Sequence, residues 1–490
     1  MMTIELTDPS LLQTKAYIDG RWLDAENGEV FPVFNPANGE LIAEVANIGE
    51  GETRAALVSA QKAMGEWRRL SGKARSIILR KWFDLIVANT EDLARIMTAE
   101  QGKVLLESRG EVTYGASFIE WFAEEAKRVY GDIIPTPNVN HRAMVLKQPV
   151  GVAAAITPWN FPNAMITRKA GPALAVGCAM VIKPAEETPL SALALAVLAE
   201  RAGIPAGVLN ILPTANAAEV GNELTANPTV RKLSFTGSTG VGKLLMRQSA
   251  DTVKRLSMEL GGNAPVIVFD DADLDLAVQA AAASKFRNSG QTCICVNRVL
   301  VQANIYDAFV EKFHQHVAEF KLGNGMDAGV THGPVINKKA IDSIQQKVDQ
   351  AVESGATVLL GGKPGDDSGY FYEPTILTQV NPDMQVFREE IFGPVAPVVK
   401  FDTEQEAIEL ANDTEYGLAS YIFTQDVGRV WRVSEAIEYG MVGVNETAIT
   451  SEVIPFGGVK ESGQGREGSK YGMDDYLETK YVCLGGLQEG

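Results

Sequence analysis

Cys178-Ala-Met-Val-Ile-Lys183, followed by Pro184-Ala-Glu-Glu-Thr-Pro189, gives the clearest structural signal in this chain of 490 residues. The first six residues are mostly apolar and end at a proline, which indicates a buried strand. Thr188 as an N-cap, with Pro189 at the first helical position, opens a helix that should end near Gly203. Ligands bind at the carboxyl ends of strands in doubly wound sheets, so we expect ligand groups around residues 183–187.

The same alternation of short β-rich runs and helical stretches extends from residue 151 to residue 269. This rhythm predicts an α/β fold with a parallel sheet and crossover helices. A further helix is predicted over 274–287, with Asp273 before it and Asn288-Ser289-Gly290 after it, so Cys293 should lie on a turn. The predicted strands are 152–157, 180–183, 208–212, 233–236 and 266–269.

Composition limits the class of protein. The length suggests two or three domains, and 46% hydrophobic with 22% charged residues is typical of a globular protein. A formal net charge of −18 would repel a polyanion, so we expect no nucleic-acid partner. Four cysteines and four histidines show no disulfide framework and no metal-ligand spacing, so we expect no metal. The N-terminus lacks a secretory pattern and no apolar stretch is long enough for a membrane span, which predicts a cytoplasmic protein.

Cys293 is the first candidate for chemistry. Buried structural cysteines usually have apolar neighbours, but Asn288-Ser-Gly-Gln-Thr-Cys293 is a polar helix stop and turn. Such a loop can expose and activate a thiol, which favours a nucleophile over a packing residue. Cys295 lies two residues further on, and in an extended chain the two Cα atoms are about 6.6 Å apart, at the limit for a disulfide. We therefore interpret Cys295 as a packing residue, with a regulatory disulfide as the alternative.

Two polar side chains could assist this cysteine. Glu259 ends an apolar run and precedes Gly261 and Gly262, which allow close approach of a ligand. Beside a nucleophile it is a candidate base, although alone it could equally be a salt-bridged glutamate. Asn160 lies between Trp159 and Phe161 in a proline-flanked segment after a predicted strand. Its amide is a suitable oxyanion donor, with a structural turn asparagine as the alternative.

Residues 235–243 form a glycine-rich turn between a predicted strand and a helix, where a pyrophosphate could meet a helix N-terminus. The glycine spacing is neither G-x-G-x-x-G nor a Walker A loop, so the signal is weak by itself. A cysteine hydrolase is an alternative, but it lacks a placed histidine and leaves this turn unexplained.

Seven ordered segments together make the chain similar to the aldehyde dehydrogenase superfamily over nearly its whole length. Chance agreement of all seven is negligible. They are Thr157-Pro-Trp-Asn-Phe-Pro162, Lys183-Pro-Ala-Glu186, Phe235-Thr-Gly-Ser238, Glu259-Leu-Gly-Gly262, Gly290-Gln-Thr-Cys293, Glu389-Glu-Ile-Phe-Gly-Pro394 and Pro455-Phe-Gly-Gly458.

This resemblance implies an NAD(P)-binding Rossmann-like domain (1–126 and 150–261) and an α/β catalytic domain (262–460). It also implies a small β oligomerisation arm with the C-terminal tail (127–149 and 461–490), and hence homodimers or homotetramers. The family pattern makes Glu259 the activator of a hydrolytic water, which argues against a CoA-acylating enzyme. It implies a cofactor site formed by Thr157, Pro158, Trp159, Lys183, Ala185, Glu186, Gly221, Phe235, Gly237, Ser238, Gly242, Leu260, Glu390 and Phe392.

The subfamily that the chain resembles is succinate-semialdehyde dehydrogenase, on stretches that include residues 166–174, 285–295 and 465–472. There, two arginines that match Arg168 and Arg287, together with a serine, hold the carboxylate of a small anionic aldehyde. This chain has Thr450 at the serine position, which keeps the hydroxyl but narrows the pocket, so glutarate or sulfonated semialdehydes stay as alternatives. Glu186 lies where the family places a carboxylate on the adenosine ribose, which favours NAD over NADP.

Overall fold

The computed structural model describes residues 3–366 and 368–487 and has the predicted α/β fold. The outermost residues of the predicted domains, 1–2 and 488–490, lie outside this description. The strands are β1 (Ala16–Ile18), β2 (Arg21–Leu23), β3 (Val30–Phe34), β4 (Leu41–Ala46), β5 (Asp132–Ile134), β6 (Arg142–Pro149), β7 (Val152–Ile156), β8 (Met180–Lys183), β9 (Leu209–Ile211), β10 (Val230–Thr236), β11 (Arg255–Glu259), β12 (Ala264–Val268), β13 (Val296–Gln302), β14 (Thr357–Leu360), β15 (Thr375–Thr378), β16 (Val395–Phe401), β17 (Ala419–Phe423), β18 (Met441–Val444), β19 (Gly463–Gln464) and β20 (Leu477–Leu484).

The α-helices carry the crossovers between these strands, and short 3₁₀ turns lie among them. The helices are α1 (Glu50–Trp67), α2 (Gly72–Ala88), α3 (Thr90–Gln101), α4 (Leu105–Glu125), α5 (Ala164–Val176), α6 (Pro189–Ala202), α7 (Ala217–Ala226), α8 (Thr239–Ser249), α9 (Leu274–Phe286), α10 (Tyr306–Val317), α11 (Lys338–Glu353), α12 (Gln385–Arg388), α13 (Glu404–Asn412) and α14 (Val427–Ala436).

The first sheet has the order β19-β11-β10-β7-β8-β9-β1-β2 in the part of the chain that the structure describes. Its five central strands, from β11 to β9, pair in parallel. Strand β7 shows the period of two that a sheet covered on both faces requires. Ala153 and Ala155 pack into the core formed with α4, α5 and α6, whereas Val152 and Ala154 pack into the core formed with α1 and α7.

The second sheet has the order β14-β15-β16-β13-β12-β17-β18. It corrects the interpretation of residues 266–269, which the sequence rhythm assigned to the same sheet as the four preceding runs. Strand β12 instead pairs with β13 and β17. An apolar run predicts a strand but not its neighbours, and here the chain leaves the first sheet at Gly261-Gly262. Strand β11, which carries Glu259 and leads into this crossing, was not predicted as a strand.

The third sheet is a small antiparallel one with the order β20-β6-β5. It brings residues 132–149 together with the C-terminal strand, the two segments that the resemblance assigns to the arm. Ile133 and Tyr481 are largely exposed on it, with 79% and 62% of their surface accessible. The domain limits and the assembly into dimers or tetramers stay predictions.

Helix α6 confirms the signal in the opening stretch, with one difference. It begins at Pro189 and ends at Ala202, and Gly203 takes the left-handed conformation (φ 90°) that glycine favours at a helix end. Thr188 is at the N-cap but its side chain makes no cap hydrogen bond. The buried Glu100 carboxylate accepts the Leu190 and Ser191 N–H groups instead, both at 2.8 Å. A cap supplied by a distant segment leaves no local sequence signal.

No described helix is long and apolar enough to cross a membrane. Among the described residues there is also no cluster of His, Cys, Asp and Glu side chains able to hold a metal ion.

Candidate active site

The candidate site lies where several chain segments end at one crevice. Asn160 follows β7, Ser238 follows β10 and Glu259 ends β11, all at the carboxyl edge of the first sheet. The loop after α9 brings Cys293 to the same place. The cavity that these segments enclose has a volume of about 510 Å³, and its wall contains these predicted residues: Pro158, Trp159, Asn160, Gly237, Ser238, Leu260, Cys293, Glu390 and Phe392.

The cysteine loop has an unusual backbone. Helix α9 ends at Phe286, and Asn288, Ser289 and Gly290 then take left-handed conformations, with φ of 50°, 53° and 76°. At Gly290 a Cβ atom would lie only 2.1 Å from the Gly393 carbonyl oxygen, so a side chain is excluded there. These residues turn the chain sharply enough to place Cys293 in the cavity wall.

Cys293 is partly exposed, and the charged groups around it change the pKa of its thiol. Burial raises the pKa of its thiol to about 12, and the Glu390 and Glu259 carboxyl groups act in the same direction. The Arg168 guanidinium opposes them and lowers it. A thiol of this kind needs a proton acceptor or nearby positive charge to become a nucleophile.

Asn160 is 5% exposed and its amide donates to the Gln291 carbonyl oxygen at 3.0 Å. The second N–H of the Asn160 side chain makes no hydrogen bond with any described residue. The same is true of the Cys293 backbone N–H. Both donors therefore suit an oxyanion formed next to the sulfur.

Glu259 is buried, and within the described residues both of its carboxylate oxygens lack a hydrogen-bond partner. Burial raises its pKa well above the ordinary value, and the nearby Glu467 carboxylate raises it further. A carboxyl group whose pKa is raised in this way binds a proton more strongly than an ordinary carboxylate, which suits a general base.

Glu467 is also buried, but its pKa is shifted in the opposite direction to that of Glu259. Burial alone would raise its pKa, but Lys169 and Arg168 outweigh that effect and hold it at about 2. Its Oε2 accepts from Arg168 Nε at 2.8 Å and lies 2.6 Å from Nη2, and its Oε1 pairs with Lys169. The Arg168 guanidinium also lies 4.0 Å from the Phe456 ring centre. Arg168 is thus 2% exposed and already carries a counter-ion.

Arg287 differs sharply from Arg168. It is exposed, its guanidinium carbon lies 5.1 Å from the centre of the Phe161 ring, and among the described residues it has no ion-pair partner. Thr450 is half-buried on the segment after β18, and its neighbour Ile449 packs against the same core cluster as Cys293. Arg287 is therefore the more accessible of the two cations, with the Glu107 carboxyl group near enough to interact with its charge, and contact of Arg168, Arg287 and Thr450 with a substrate stays a prediction.

The cavity wall fits a dinucleotide. Ser238 is the N-cap of α8, so the helix N-terminus that favours a pyrophosphate faces the cavity. Trp159 and Phe392 meet edge to face, with ring centres 5.5 Å apart. Burial raises the pKa of Glu390 to about 7, and its carboxylate accepts the Gly262 N–H at 3.0 Å.

The remaining predicted cofactor residues lie beside this cavity or behind it. Lys183 is buried at the end of β8 and its Nζ lies 3.0 Å from Glu186 Oε2. Glu186 and its neighbour Glu187 line an adjoining cavity of about 260 Å³. The other predicted cofactor residues do not line either cavity. Thr157, Ala185 and Phe235 are buried, Gly221 is buried on α7, and Gly242 packs against Leu260.

Cys295 behaves as the packing interpretation predicts. It is buried, its sulfur is 3.4 Å from the Gly290 carbonyl oxygen, and both Cys293 and Cys295 are free thiols in the structure. A regulatory disulfide stays a prediction.

Sequence reasoning missed several charged residues at this site. Glu467 and Lys169 lie in stretches that carried the resemblance, yet neither was singled out, because their importance comes from meeting each other across 298 positions of sequence. Lys103 and Glu111 were also missed. They are only eight positions apart, but their importance comes from contacts with Asn160 and with the start of α5, 57 and 52 positions away, and no local motif marks either residue.

A model of the family described as "Aldehyde dehydrogenase family" matches residues 22–482. The chain belongs to this family. Its membership confirms the enzyme class and the NAD(P)-linked chemistry that the ordered motifs predicted.

Several characterised relatives are similar to the chain along its full length. The glutarate-semialdehyde dehydrogenase of Pseudomonas aeruginosa is 58% identical and covers 99% of this chain and 100% of its own. The 3-sulfolactaldehyde dehydrogenase of Pseudomonas putida is 57% identical, with 99% of both chains covered. The NADP(+) succinate-semialdehyde dehydrogenase of Escherichia coli is 58% identical, with 98% and 100% covered. The solved structure of the succinate-semialdehyde dehydrogenase from Burkholderia pseudomallei has a TM-score of 0.97 at 57% identity, with 98% and 99% covered.

Proposed function

We propose that this protein oxidises a short aldehyde with an anionic group at its other end, with succinate semialdehyde as the preferred substrate. The observation that carries the proposal is the exposed Arg287 guanidinium six residues before Cys293, for which the described part of the chain provides no ion-pair partner. The relatives support it, because their names describe succinate, glutarate and sulfonated semialdehydes. All three have an aldehyde at one end and a carboxylate or sulfonate at the other.

In the proposed first half-reaction the Cys293 thiol releases its proton to solvent, with the Arg168 guanidinium favouring the thiolate, and the sulfur adds to the aldehyde carbon. The developing oxyanion rests on the Asn160 amide and the Cys293 backbone N–H. NAD(P), when bound, supplies the acceptor for the hydride that leaves this carbon. The acid is then joined to Cys293 as a thioester.

In the second half-reaction Glu259 takes a proton from a water molecule as the water attacks the thioester. Its raised pKa and its lack of hydrogen-bond partners among the described residues suit this role, and the ionised Glu467 carboxylate disfavours a second negative charge. Because Arg168 and Lys169 balance the charge of Glu467, that carboxylate stays ionised, and Glu259 is the one of the two that can exchange a proton. The product is the dicarboxylate, and Cys293 recovers its thiol.

The substrate preference is tested by replacing Arg287. Charge-assisted contacts to a carboxylate contribute roughly 1.5–3 kcal/mol, so Arg287→Ala should raise KM for succinate semialdehyde about 10- to 100-fold. Propanal has no carboxylate, and its kcat/KM should stay nearly unchanged. Steady-state NADH formation with both aldehydes measures the difference.

Arg168→Ala is the informative comparison for this experiment. Because it removes a counter-ion of Glu467 beside Glu259, we expect it to slow both aldehydes, in addition to any effect on the carboxylate. A parallel loss of both substrates in Arg287→Ala, or a wild-type preference for neutral aldehydes, would contradict the proposed anchor. Comparing succinate, glutarate and sulfonated semialdehydes then ranks the candidate substrates.

The cofactor preference is tested at Glu186. We propose NAD, because a 2′-phosphate near the Glu186 carboxylate would meet like charge, although the neighbouring Lys183 reduces the penalty. Wild-type kcat/KM should be higher with NAD than with NADP. Glu186→Gln removes the charge at constant shape and should improve the relative use of NADP by roughly tenfold, an effect of about 1.4 kcal/mol. Equal or better wild-type kcat/KM with NADP would show this proposal to be wrong. A cytoplasmic location stays a prediction.

A further inference from the structure

Lys103 is a buried lysine next to the active site to which the proposed mechanism assigns no role. It lies between α3 and α4 and is 1% exposed. Its ammonium group is 2.5 Å from Glu111 Oε2 and donates to the Asn160 carbonyl oxygen at 2.6 Å. It also lies 4.0 Å from the centre of the Phe161 ring. One cation therefore contacts the main chain of the oxyanion donor and the side chain that follows it.

Glu111 holds the other end of the same segment. Its second carboxylate oxygen accepts the Asn163 N–H at 2.9 Å and the Ala164 N–H at 3.2 Å, at the start of α5. The ion pair thus spans residues 160–164 from both sides. Movement of either charged group would shift the turn that carries the Asn160 side chain.

The segment is also tied to the cysteine loop. The Asn160 carbonyl oxygen accepts a second hydrogen bond from Asn288 Nδ2 at 3.1 Å, and Asn160 Nδ2 donates to Gln291 at 3.0 Å. Gln101 joins the two networks, since its amide donates to Asn288 Oδ1 at 3.0 Å and its oxygen accepts the Lys103 N–H at 2.9 Å. Lys103 thus belongs to the hydrogen-bond network that joins Asn160 to the loop that bears Cys293.

The stability of the fold does not by itself explain why a buried Lys103–Glu111 ion pair is present. A buried ion pair loses much of its attraction to desolvation, and apolar residues of similar size are often as stable. The Asn160 carbonyl would still have Asn288 as a donor if Lys103 were absent. What the ammonium adds is a second, charged contact that fixes the direction of this peptide group.

We propose that Lys103, held by Glu111, is a positioning residue that sets the oxyanion donor Asn160 at the distance from Cys293 that hydride transfer requires. This inference rests on the proposed function. It adds to that function a role for an ion pair outside the cavity wall, which is to hold a catalytic side chain in place.

The test replaces both charges at once, so that no unpaired charge is left buried. In Lys103→Met/Glu111→Gln the single-turnover rate constant for NADH formation should fall about 10- to 100-fold, as expected for a misplaced catalytic donor. Succinate semialdehyde and propanal should lose the same factor, because both form the oxyanion. The dissociation constant for NAD, measured without aldehyde, should change less than about twofold, since the pair lies outside the cavity wall.

Lys232 and Asp475 provide a matched control. Lys232 is also fully buried, lies 3.8 Å from its acidic partner and sits 5.3 Å from an aromatic ring centre, that of Tyr476. Lys232→Met/Asp475→Asn should alter thermal stability while keeping the single-turnover rate. If the two double variants lose the same factor, or if the Lys103 variant keeps the wild-type rate, the positioning role is wrong.

Glu111→Gln gives a second measurement in case the double variant does not fold. The amide oxygen can still accept the α5 N–H groups, but the charge that holds Lys103 is gone. We expect a fall of about threefold to tenfold in the same rate constant for both aldehydes. An unchanged rate overturns the inference. Reduction of NAD by wild-type protein tests the proposed function separately, so failure of the one is distinguishable from failure of the other.

Discussion

Cys293→Ala is expected to lose aldehyde oxidation by a factor on the order of 10⁴ or more, because the covalent intermediate can no longer form. Asn160 in the cavity wall and the nearby Glu259 are still present, but neither can replace the sulfur as the nucleophile. NADH absorbance under saturating NAD and succinate semialdehyde measures the loss.

Cys295→Ala is the matched control for this variant. Cys295 is buried two residues further along the same loop, and its loss should leave most of the activity. Retained oxidation in Cys293→Ala would contradict the nucleophile assignment. Equal inactivation of both variants would indicate instead that the loop needs its packing rather than its sulfur.

Glu259→Gln is expected to separate the two half-reactions. The neutral amide cannot take a proton from water, so steady-state turnover should fall by roughly 10²- to 10⁴-fold, the usual contribution of a general base. Cys293, Asn160 and Arg287 are unchanged, so the first equivalent of NADH should still form. Rapid mixing of enzyme, NAD and succinate semialdehyde measures the first turnover and the steady state in one trace.

Two outcomes would contradict this role. Steady-state turnover at the wild-type rate would show that Glu259 does not activate water. A missing first turnover would place Glu259 before hydride transfer, as the acceptor of the raised-pKa Cys293 proton. Glu435→Gln, on α14 and not part of the described site, controls for loss of a carboxylate in general.

The fold was predictable where local chemistry decides it. The strand Met180–Lys183 and the helix Pro189–Ala202 follow from an apolar run, two prolines and a terminal glycine. The sheet to which β12 belongs was not predictable, because strand neighbours depend on long-range pairing. The cap of α6 by Glu100, some 90 positions away, escaped the sequence for the same reason.

In the candidate site, too, the residues in short local motifs were predictable, and the contacts between distant segments were not. Cys293, Asn160 and the glycine-rich turn could be found because short motifs fix their surroundings. Arg168 and Arg287 look alike in sequence, yet the first is buried against Glu467, whereas the second is exposed and forms no ion pair with any residue that the structure describes. Only the fold determines which cation finds a partner, so the sequence could propose two anchors but not distinguish them.

In the proposed mechanism a short acid semialdehyde is oxidised while it is joined to Cys293. The covalent intermediate can be detected by intact-protein mass spectrometry of Glu259→Gln, mixed with NAD and succinate semialdehyde and quenched in acid. We expect a mass increase equal to one succinyl group, located on Cys293 by peptide mapping and absent when NAD is omitted. An unmodified chain after NADH has formed, or a succinyl group on any other residue, would contradict it.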